Sequence, residues 1–454
     1  MVVKRKKKNR RERRKQSVME QRDLFFDPKR LFEELCTTER LRAGFKAVKK
    51  NKGAAGIDGI SIETFETTLD EELGRLEQEL ASWSYQPSPV RQVEIPKPGS
   101  HEKRKLGVPT IRDRVVQTAI KQLIEPILEP MFSEHSYGFR PERNQRQAVE
   151  AAREFVKSGK EWCVDIDLSK FFDRVNHDRL MSRLSEVIED KRIMRLIGLT
   201  LRSGVMSEGV VTPTAEGTTQ GSPLSPLLSN FVLDELDKRL EQRGFSFCRF
   251  ADDANIFVGS KKAADRLMAN LIGFIEGKLK LKVNREKSKV ARSEFVKFLG
   301  MTIVAGTIAI SSVSLDRAMA KVRELSPRGT SVSVENSIEE FNKWYRGWAN
   351  YYKMTQYPAQ LAKIEAHYRR RIRSRLVSQH RNRRILFNKL LSYKVPRKTA
   401  AKAAFFQGAR WALSHMRGVE MAFSNQWFEQ RGLYTMSEQK LEGWFDRKKW
   451  IRLT

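Results

Sequence analysis

Cysteine is scarce in this chain of 454 residues, which contains only Cys36, Cys163 and Cys248. The three lie far apart in apolar surroundings, and none belongs to a CxxC or Cys/His spacing. Disulfide frameworks and structural zinc sites both depend on such spacings. Neither a disulfide bond nor a structural zinc ion is therefore expected.

Long apolar runs are also missing. No uninterrupted apolar stretch approaches the length that crosses a membrane, and no apolar core follows the basic N-terminus as a signal peptide requires. We therefore expect a soluble, cytoplasmic protein. Its length predicts two or three domains.

Acidic residues are few relative to basic ones: 55 Asp and Glu stand against 86 Lys and Arg, a formal net charge of +31. Residues 4–15 alone hold ten basic residues and one Glu, and residues 327–454 hold 26 basic against 9 acidic residues. Nucleic acid is the leading partner for such a chain, with a membrane surface as the alternative. The N-terminal basic arm is expected to neutralise phosphates or to be a solvated tail.

Residues 247–258 read as a β-hairpin whose tight turn carries Asp252 and Asp253. An Asp-Asp pair is often no more than turn chemistry. Here the pair lies between two apolar strands, where paired carboxylates are costly unless a cation compensates them. This favours a metal site.

A second acidic cluster, which includes Asp165 and Asp167, lies at the C-terminal end of a predicted apolar strand that begins near residue 161 and leads into a helix. Between the two clusters, residues 219–226 open a helix that is predicted to continue to about Arg243. Three carboxylates from two elements suit a pair of Mg²⁺ ions, which take oxygen ligands and substrate phosphates.

A basic hairpin is predicted between Val90 and Pro109, with a turn at residues 98–100. A lysine and an arginine at its opposed ends can clamp a triphosphate, and exposed strand charges are the alternative. Helices are predicted at Arg112–Leu128 and from Asn144. A glycine-containing loop at residues 51–59 interrupts the helical region before the hairpin and is only a weak candidate for phosphate contact.

Several segments resemble motifs of one family, in the right order and rough spacing. Residues 250–253, Phe-Ala-Asp-Asp, resemble a YADD box with Phe in place of Tyr. Residues 167–172 resemble the first catalytic motif, residues 220–226 the QGxPLSP motif, and residues 136–143 the GFRPxR segment. From about residue 27 onwards the chain thus resembles reverse transcriptases encoded by group II introns, of the bacterial, group IIC-like kind.

The resemblance implies a site for two Mg²⁺ ions. Asp167 and Asp252 would hold both metals with Asp253 as the third carboxylate, Leu168 would belong to the metal-binding set, and Asp165 would support it. Asp167 is preferred over Asp165 because the family's steric-gate aromatic follows the catalytic Asp by five positions, where this chain has Phe172.

The resemblance also implies a set of nucleotide-binding residues. Lys97 and Arg104 would hold the triphosphate, with Arg91 as a weaker candidate, while Phe172 would exclude a 2′-hydroxyl. Gln220 and Gly221 would complete this set within the template-positioning motif. Lys287 would protonate the leaving pyrophosphate, unless it is an ordinary surface lysine. Residues 298–300 resemble the primer grip.

The C-terminal region resembles the family's thumb and maturase domain. Trp344, Trp348 and Tyr352 are assigned to packing because they recur every four residues. The five arginines of residues 369–375 are assigned to phosphate contacts, and binding of intron RNA by shape and backbone is implied.

After Leu433 only 21 residues remain, without the Cys/His ligands of an HNH endonuclease. DNA cleavage is therefore not expected, and retromobility would need another primer source.

The predicted architecture is an α+β right-hand polymerase fold followed by a helical thumb. The domains would be the basic arm, residues 1–26; fingers and palm, residues 27–310; and thumb, maturase and basic C-terminal region, residues 311–454.

The predicted function is that of an RNA-directed DNA polymerase, which extends a DNA or RNA primer on an RNA template with dNTPs. The protein would also act as a maturase and would be associated with ribonucleoprotein or nucleoid. The alternatives are a host-adopted enzyme of DNA repair or defence and a splicing chaperone with little polymerase use.

Overall fold

The computed structural model describes residues 30–96, 103–207, 210–212, 216–218, 221–380 and 382–439. These residues form two compact units. Unit 1 comprises segments 30–144, 166–254 and 266–289, and unit 2 comprises segments 145–165, 255–265 and 290–439. None of the helices in these segments is long and apolar enough to span a membrane.

The helices of the first 300 residues are α1 (Leu31–Leu35), α2 (Thr38–Asn51), α3 (Ile62–Thr67), α4 (Leu69–Ala81), α5 (Ile111–Leu128), α6 (Gln145–Lys157), α7 (His177–Ser185), α8 (Lys191–Leu201), α9 (Ser225–Gln242) and α10 (Lys261–Gly277). Those that follow are α11 (Ser312–Leu325), α12 (Val334–Tyr352), α13 (Pro358–Gln379), α14 (Arg383–Ser392), α15 (Arg397–Ala404), α16 (Arg410–Leu413), α17 (Arg417–Ala422) and α18 (Asn425–Glu429). The strands are β1 (Val90–Pro96), β2 (Lys103–Val108), β3 (Trp162–Ile166), β4 (Val205–Ser207), β5 (Val210–Thr212), β6 (Ser246–Phe250), β7 (Asp253–Val258), β8 (Lys289–Arg292), β9 (Met301–Val304) and β10 (Thr307–Ile310).

Helix α5 is the buried centre of unit 1, and it begins one residue before the predicted start. Thr110 caps it by accepting a hydrogen bond from the backbone N–H of Asp113. The Asp113 carboxylate in turn accepts hydrogen bonds from the Tyr85 hydroxyl at 2.7 Å and the Ser88 backbone at 3.1 Å. Burial raises the pKa of Asp113, and these hydrogen bonds oppose that shift.

The basic hairpin is present as predicted, with β1 and β2 antiparallel and Ile95 opposite Arg104. It belongs to a four-stranded sheet in the order β2-β1-β4-β5. A second four-stranded sheet has the order β6-β7-β3-β8, and it contains both strands of the predicted double-aspartate hairpin and the strand that precedes Asp167. The predicted α+β class is confirmed.

Unit 2 contains the β9-β10 hairpin and the C-terminal helices. Helices α12 and α13 pack through aromatic rings, with Phe341 and Tyr368 stacked at a centroid distance of 3.9 Å. Trp344, Trp348 and Tyr352 form a row along α12 at centroid distances of 5.9 and 4.4 Å. Their predicted packing role is confirmed.

The turn that resembles a primer grip is held by α12. Leu299 and Gly300 both have positive φ, at +51° and +79°. The Tyr351 hydroxyl donates to the Leu299 carbonyl at 2.8 Å, and a Cβ on Gly300 would lie 2.5 Å from the Tyr352 hydroxyl. Only glycine fits at this position, because both its backbone conformation and the neighbouring ring exclude a side chain.

The prediction that the five arginines of α13 contact phosphate is wrong for Arg369, Arg373 and Arg375, which are buried. Arg373 donates to the Phe423 carbonyl at 2.7 Å, and Arg375 donates to the Ser337 hydroxyl at 2.9 Å. The reason is helical geometry: with 3.6 residues per turn, arginines at nearly successive positions point to every side of the helix. The three therefore belong to the interior of unit 2.

Candidate active site

Asp252 lies in the turn between β6 and β7, and Asp253 is the first residue of β7, so the predicted hairpin is present with its turn one residue earlier on the second aspartate's side. Ala251 before them has φ +57°, a left-handed conformation that requires support in a non-glycine residue. Both carboxylates belong to half-buried residues. Two acidic side chains therefore lie at the boundary between the protein interior and solvent.

Arg249 supports this turn from inside. It is 1% exposed, and its guanidinium donates to both carboxylate oxygens of Asp237 on α9, which is fully buried. It also donates to the Asn230 side chain and to the Ala251 carbonyl, each at 2.9 Å, and to the Ser136 hydroxyl at 2.8 Å. A single buried cation thus connects α9 and the 133–141 loop to the backbone of the turn.

The loop at residues 136–143 packs directly against the same turn. A Cβ on Gly138 would lie 2.3 Å from the Ala251 nitrogen, so glycine is required by the close backbone approach. The Gly138 carbonyl accepts a hydrogen bond from Asn230 at 2.8 Å. Arg140 is buried and donates to Glu129 and to the Ser136 carbonyl. The GFRPxR-like segment therefore supports the carboxylate turn.

Phe250, which stands where the resembling family has Tyr, lies beside the ring of Phe139. Their centroids are 6.4 Å apart with the rings tilted by 46°. Phe139 is half exposed. The aromatic ring at position 250 is therefore retained as a packing element of the turn.

Asp167 follows the end of β3, and its backbone is held by the segment at residues 282–288. Its N–H donates to the Ser288 hydroxyl at 3.0 Å, and its carbonyl accepts from the Asn284 N–H at 2.9 Å. Leu168 is buried and forms a bridge with Val283. Lys287 lies between Asn284 and Ser288 in the chain and is exposed, so it is carried on the segment that contacts Asp167.

The electrostatics of Asp252 bring three predicted residues together. Burial raises the pKa of its carboxyl, its own backbone N–H lowers it, and the charge of Asp167 raises it further. The charges of Arg104 and Arg249 lower it. Asp167, Asp252 and the hairpin residue Arg104 are therefore close enough to interact, and all three lie in unit 1.

These residues fit a divalent cation. Across the segments that the structure describes, no three His, Cys, Asp or Glu side chains are gathered tightly enough to hold a metal on their own. The pair of Asp167 and Asp252 offers hard oxygen donors, and the charge of Asp167 makes ionisation of Asp252 more costly, a cost that a cation would relieve. Water and substrate phosphates are the usual remaining ligands of such ions.

The structure also shows the contacts of two further predicted residues, Phe172 and Gly221. Phe172 is half-buried and packs edge-on against Phe171 at 5.3 Å, and its carbonyl accepts a hydrogen bond from the backbone N–H of Thr218. Gly221 has φ +121°, and a Cβ there would lie 2.5 Å from the carbonyl of Gly107 on β2. The QGxPLSP-like turn is thus in contact with the basic hairpin.

Arg91 and the glycine-containing loop contact each other. The Arg91 guanidinium donates to the Ala55 carbonyl at 2.6 Å, and Arg114 donates to the Pro109 and Ala54 carbonyls. A Cβ on Gly56 would lie 2.6 Å from Thr110. The loop's glycines therefore serve packing on α5 at these positions. Lys97, Gln220 and the N-terminal arm lie outside the described residues.

The supporting residues Arg249, Asp237, Asn230 and Gly138 escaped the sequence predictions. One signal for Arg249 is visible in the sequence, because it is the only charged residue among the apolar residues of β6. A charge in a buried strand requires a buried partner of opposite sign. That partner is separated by twelve positions and a turn, so the sequence alone does not show which acid it is.

Comparison with known proteins assigns this site to a class. Residues 95–303 match the family described as reverse transcriptase (RNA-dependent DNA polymerase), and residues 315–393 match the group II intron, maturase-specific domain. The first match begins near the end of β1 in the basic hairpin and spans both acidic clusters and the QGxPLSP-like turn. The fold is thus that of a reverse transcriptase, which confirms the predicted polymerase architecture.

Relatives identify the particular family. Protein YkfC of Escherichia coli K12 is 33% identical over 61% of this chain and 83% of its own length. The group II intron-encoded protein LtrA of Lactococcus lactis subsp. cremoris is 35% identical over 48% of this chain and 36% of its own length. Among solved structures, a chain of a partial Cas6-RT-Cas1–Cas2 complex is 25% identical, covering 55% of this chain and 43% of that chain at a TM-score of 0.35.

The chain belongs to the family of group II intron-encoded reverse transcriptases with a maturase domain. Members of this family are RNA-directed DNA polymerases, and reverse transcriptases generally use divalent metal ions. The chain spans about a third of the length of LtrA. Nucleic acid, RNA included, is the class of partner that the maturase domain indicates.

Proposed function

We propose that this protein extends a primer strand on an RNA template with dNTPs, using two Mg²⁺ ions held by Asp167, Asp252 and Asp253. The observation that carries the proposal is the convergence of Asp167, Asp252 and the basic hairpin residue Arg104. Acidic residues would bind the metals, and the charge of Arg104 on the hairpin, which acts on Asp252, would hold the triphosphate. This arrangement suits phosphoryl transfer, which needs positioning and charge stabilisation.

Bound Mg²⁺ ions would supply a lowered pKa for the primer 3′-hydroxyl and charge neutralisation at the α-phosphate. Asp167 and Asp252 supply ligands from two different elements, and the Leu168 backbone lies beside Asp167. Because Arg249 and Gly138 hold the turn from the interior, Asp252 is presented without rearrangement. That rigidity is what a metal-dependent site requires.

The remaining roles are assigned around these carboxylates. Arg104 and Lys97 hold the triphosphate, and Arg91 supports the hairpin at its other end. Gln220 and Gly221 position the template beside the hairpin. Lys287, carried on the segment that contacts Asp167, donates a proton to the leaving pyrophosphate.

We further propose that unit 2 assists RNA splicing by binding group II intron RNA. Its helices carry most of the basic surplus of residues 327–454, and its relatives include intron-encoded proteins. The domain boundaries proposed are residues 1–26 for the arm, 27–310 for fingers and palm, and 311–454 for thumb and maturase. A ribonucleoprotein-associated location in the bacterial cytoplasm follows from this function.

A primer-extension assay tests the polymerase proposal. The purified chain, given an RNA template with an annealed DNA primer and dNTPs, is expected to extend the primer in Mg²⁺ and to stop when EDTA is added. Extension is read on a denaturing gel, and restoring Mg²⁺ in excess of EDTA is the control. RNA binding without extension at any Mg²⁺ concentration would instead support a splicing chaperone with little polymerase use.

Phe172→Ala is expected to admit ribonucleotides. Removing the ring opens the space that a 2′-hydroxyl would occupy, so discrimination between dNTP and rNTP should fall by about 10- to 100-fold. The measurement is single-nucleotide incorporation with each substrate. Phe295→Ala, which truncates an exposed phenylalanine of unit 2, serves as the matched control. Unchanged discrimination in Phe172→Ala would assign the steric gate to another residue.

A further inference from the structure

Carboxylates are absent from one long stretch of the chain. Between Glu365 and Glu420 the sequence contains 15 Lys and Arg but no Asp or Glu. Part of this positive charge is buried, as Arg369, Arg373 and Arg375 show. The rest must be balanced by solvent, by carboxylates from elsewhere or by a bound anion.

One concentration of positive charge surrounds Trp411, on α16. The Trp411 cluster consists of Trp411 together with Arg323, Arg328, His367, Arg370 and Arg371. Arg370 stacks over the indole at 4.0 Å and Arg328 lies at 6.0 Å from its centroid, while the His367 ring meets the indole edge-on at 5.9 Å. Residues from the loop after α11, from α13 and from α16 therefore meet at a single indole ring, and Arg323 and Arg371 lie next to them through the hydrogen bond from the Arg371 guanidinium to the Arg323 carbonyl.

The arginines of the cluster are held by backbone oxygens. Arg371 donates to the Ser326 carbonyl at 2.7 Å and to the Arg323 carbonyl at 3.3 Å, and Arg370 donates to the Trp411 carbonyl at 3.3 Å. These contacts orient the guanidinium groups, and the carbonyls that accept them carry no net charge. Arg323 and Arg328 are exposed.

The cluster has no ion pair of its own in the described part of unit 2. Among the residues that the structure describes, no carboxylate oxygen lies within 4.0 Å of its four arginines, whereas other exposed arginines, such as Arg75 and Arg146, have one. The nearby acids are already engaged: Glu420 contacts His415 at 3.0 Å, and Glu324 pairs with Lys321. The Arg370 Nε and His367 Nε2 atoms are buried without a hydrogen-bond partner.

Burial and the positive charges of the cluster shift the pKa values of its own members. The pKa of His367 is lowered, first by burial and then by Arg371, Arg323 and Arg370, so its imidazole is neutral at pH 7. Burial lowers the pKa of Arg370, and the charge of Glu420 opposes that shift. Burial and the charges of Arg328 and Arg323 lower the pKa of Arg371, so these cations repel one another, and an anion would relieve that repulsion.

We propose that the Trp411 cluster is a binding site for the phosphodiester backbone of nucleic acid. The guanidinium fork matches phosphate oxygens, and stacking on indole pre-organises it. The inference rests on the proposed function in that the chain acts on RNA, but it assigns a specific contact surface to unit 2. RNA and DNA share this chemistry, so the test includes both.

The test compares salt dependence of binding in two matched double variants. Arg323→Gln/Arg328→Gln removes two exposed charges from the cluster, and Arg75→Gln/Arg146→Gln removes two exposed, carboxylate-paired charges in the other parts of the chain. Binding of an RNA duplex of about 20 base pairs and of a DNA duplex of the same sequence is measured by fluorescence anisotropy. The KCl concentration is varied from about 50 to about 300 mM, so that the slope of log affinity against log salt can be determined. Full-length protein is used throughout.

The cluster variant is expected to bind about tenfold more weakly at low salt, with a slope of log affinity against log salt that is smaller by about two. The control variant should keep the wild-type slope. If only RNA binding weakens, the site is specific for RNA. If binding of both duplexes weakens, the site recognises the phosphodiester backbone in general. A cluster variant that matches the control with both probes overturns the inference, while primer extension by the wild-type chain remains a separate test of the polymerase proposal.

Discussion

Asp252→Asn is expected to abolish primer extension, with incorporation reduced by at least about 10³-fold. The amide keeps the shape of the side chain but removes the negative charge that would hold a divalent cation. RNA binding should stay close to wild type, because Asp252 lies within the turn and not among the basic residues of unit 2. Single-turnover incorporation and an RNA-binding titration measure the two properties on the same preparation.

The stability of the same variant separates lost chemistry from lost folding. Burial and Asp167 raise the folded-state pKa of Asp252 above its ordinary value. Charged Asp252 therefore destabilises the fold at neutral pH, and that penalty decreases as pH falls through the raised pKa. A neutral Asn avoids the penalty, so Asp252→Asn should have a Tm equal to or above wild type. A lower Tm together with lost activity would mean that the carboxylate has a structural role.

The sequence predicted the strands and helices that carry the site more completely than the contacts that hold these elements in place. The hairpin at residues 247–258, the strand before Asp167 and the basic hairpin at residues 90–109 each have local patterns, apolar alternation with turn residues between, that are readable without a structure. The helix at Ile111–Leu128 was predicted to within one residue. Such elements are determined by neighbouring residues in the sequence.

The supporting contacts depend on residues that are distant in sequence. Arg249 meets Ser136 across 113 positions and Asn230 across 19, and no local pattern reports such pairings. The arginines of α13 show the opposite difficulty, because a basic run suggested a nucleic-acid surface although three of its members are buried. Composition indicates how much charge is present, but packing decides which charges reach solvent.

Arg249→Met is expected to destabilise the protein strongly and to reduce primer extension. Asp237 is fully buried, and removing its partner leaves an uncompensated buried charge, which costs about 3–5 kcal/mol. The substitution also removes the donor to the Ala251 carbonyl, so the left-handed residue before Asp252 loses its support. Chemical denaturation followed by tryptophan fluorescence measures the first effect, and steady-state incorporation measures the second.

A double variant distinguishes these two consequences. In Arg249→Met/Asp237→Leu both charges of the pair are gone, and replacing a whole buried pair with apolar residues is often close to neutral for stability. Most of the lost stability should therefore return, whereas kcat should stay about 10- to 100-fold low because the Ala251 carbonyl remains without its donor and Asp252 is less well held. Full recovery of kcat together with stability would show that Arg249 serves only to neutralise Asp237. Recovery of stability alone would identify Arg249 as the residue that positions the catalytic turn.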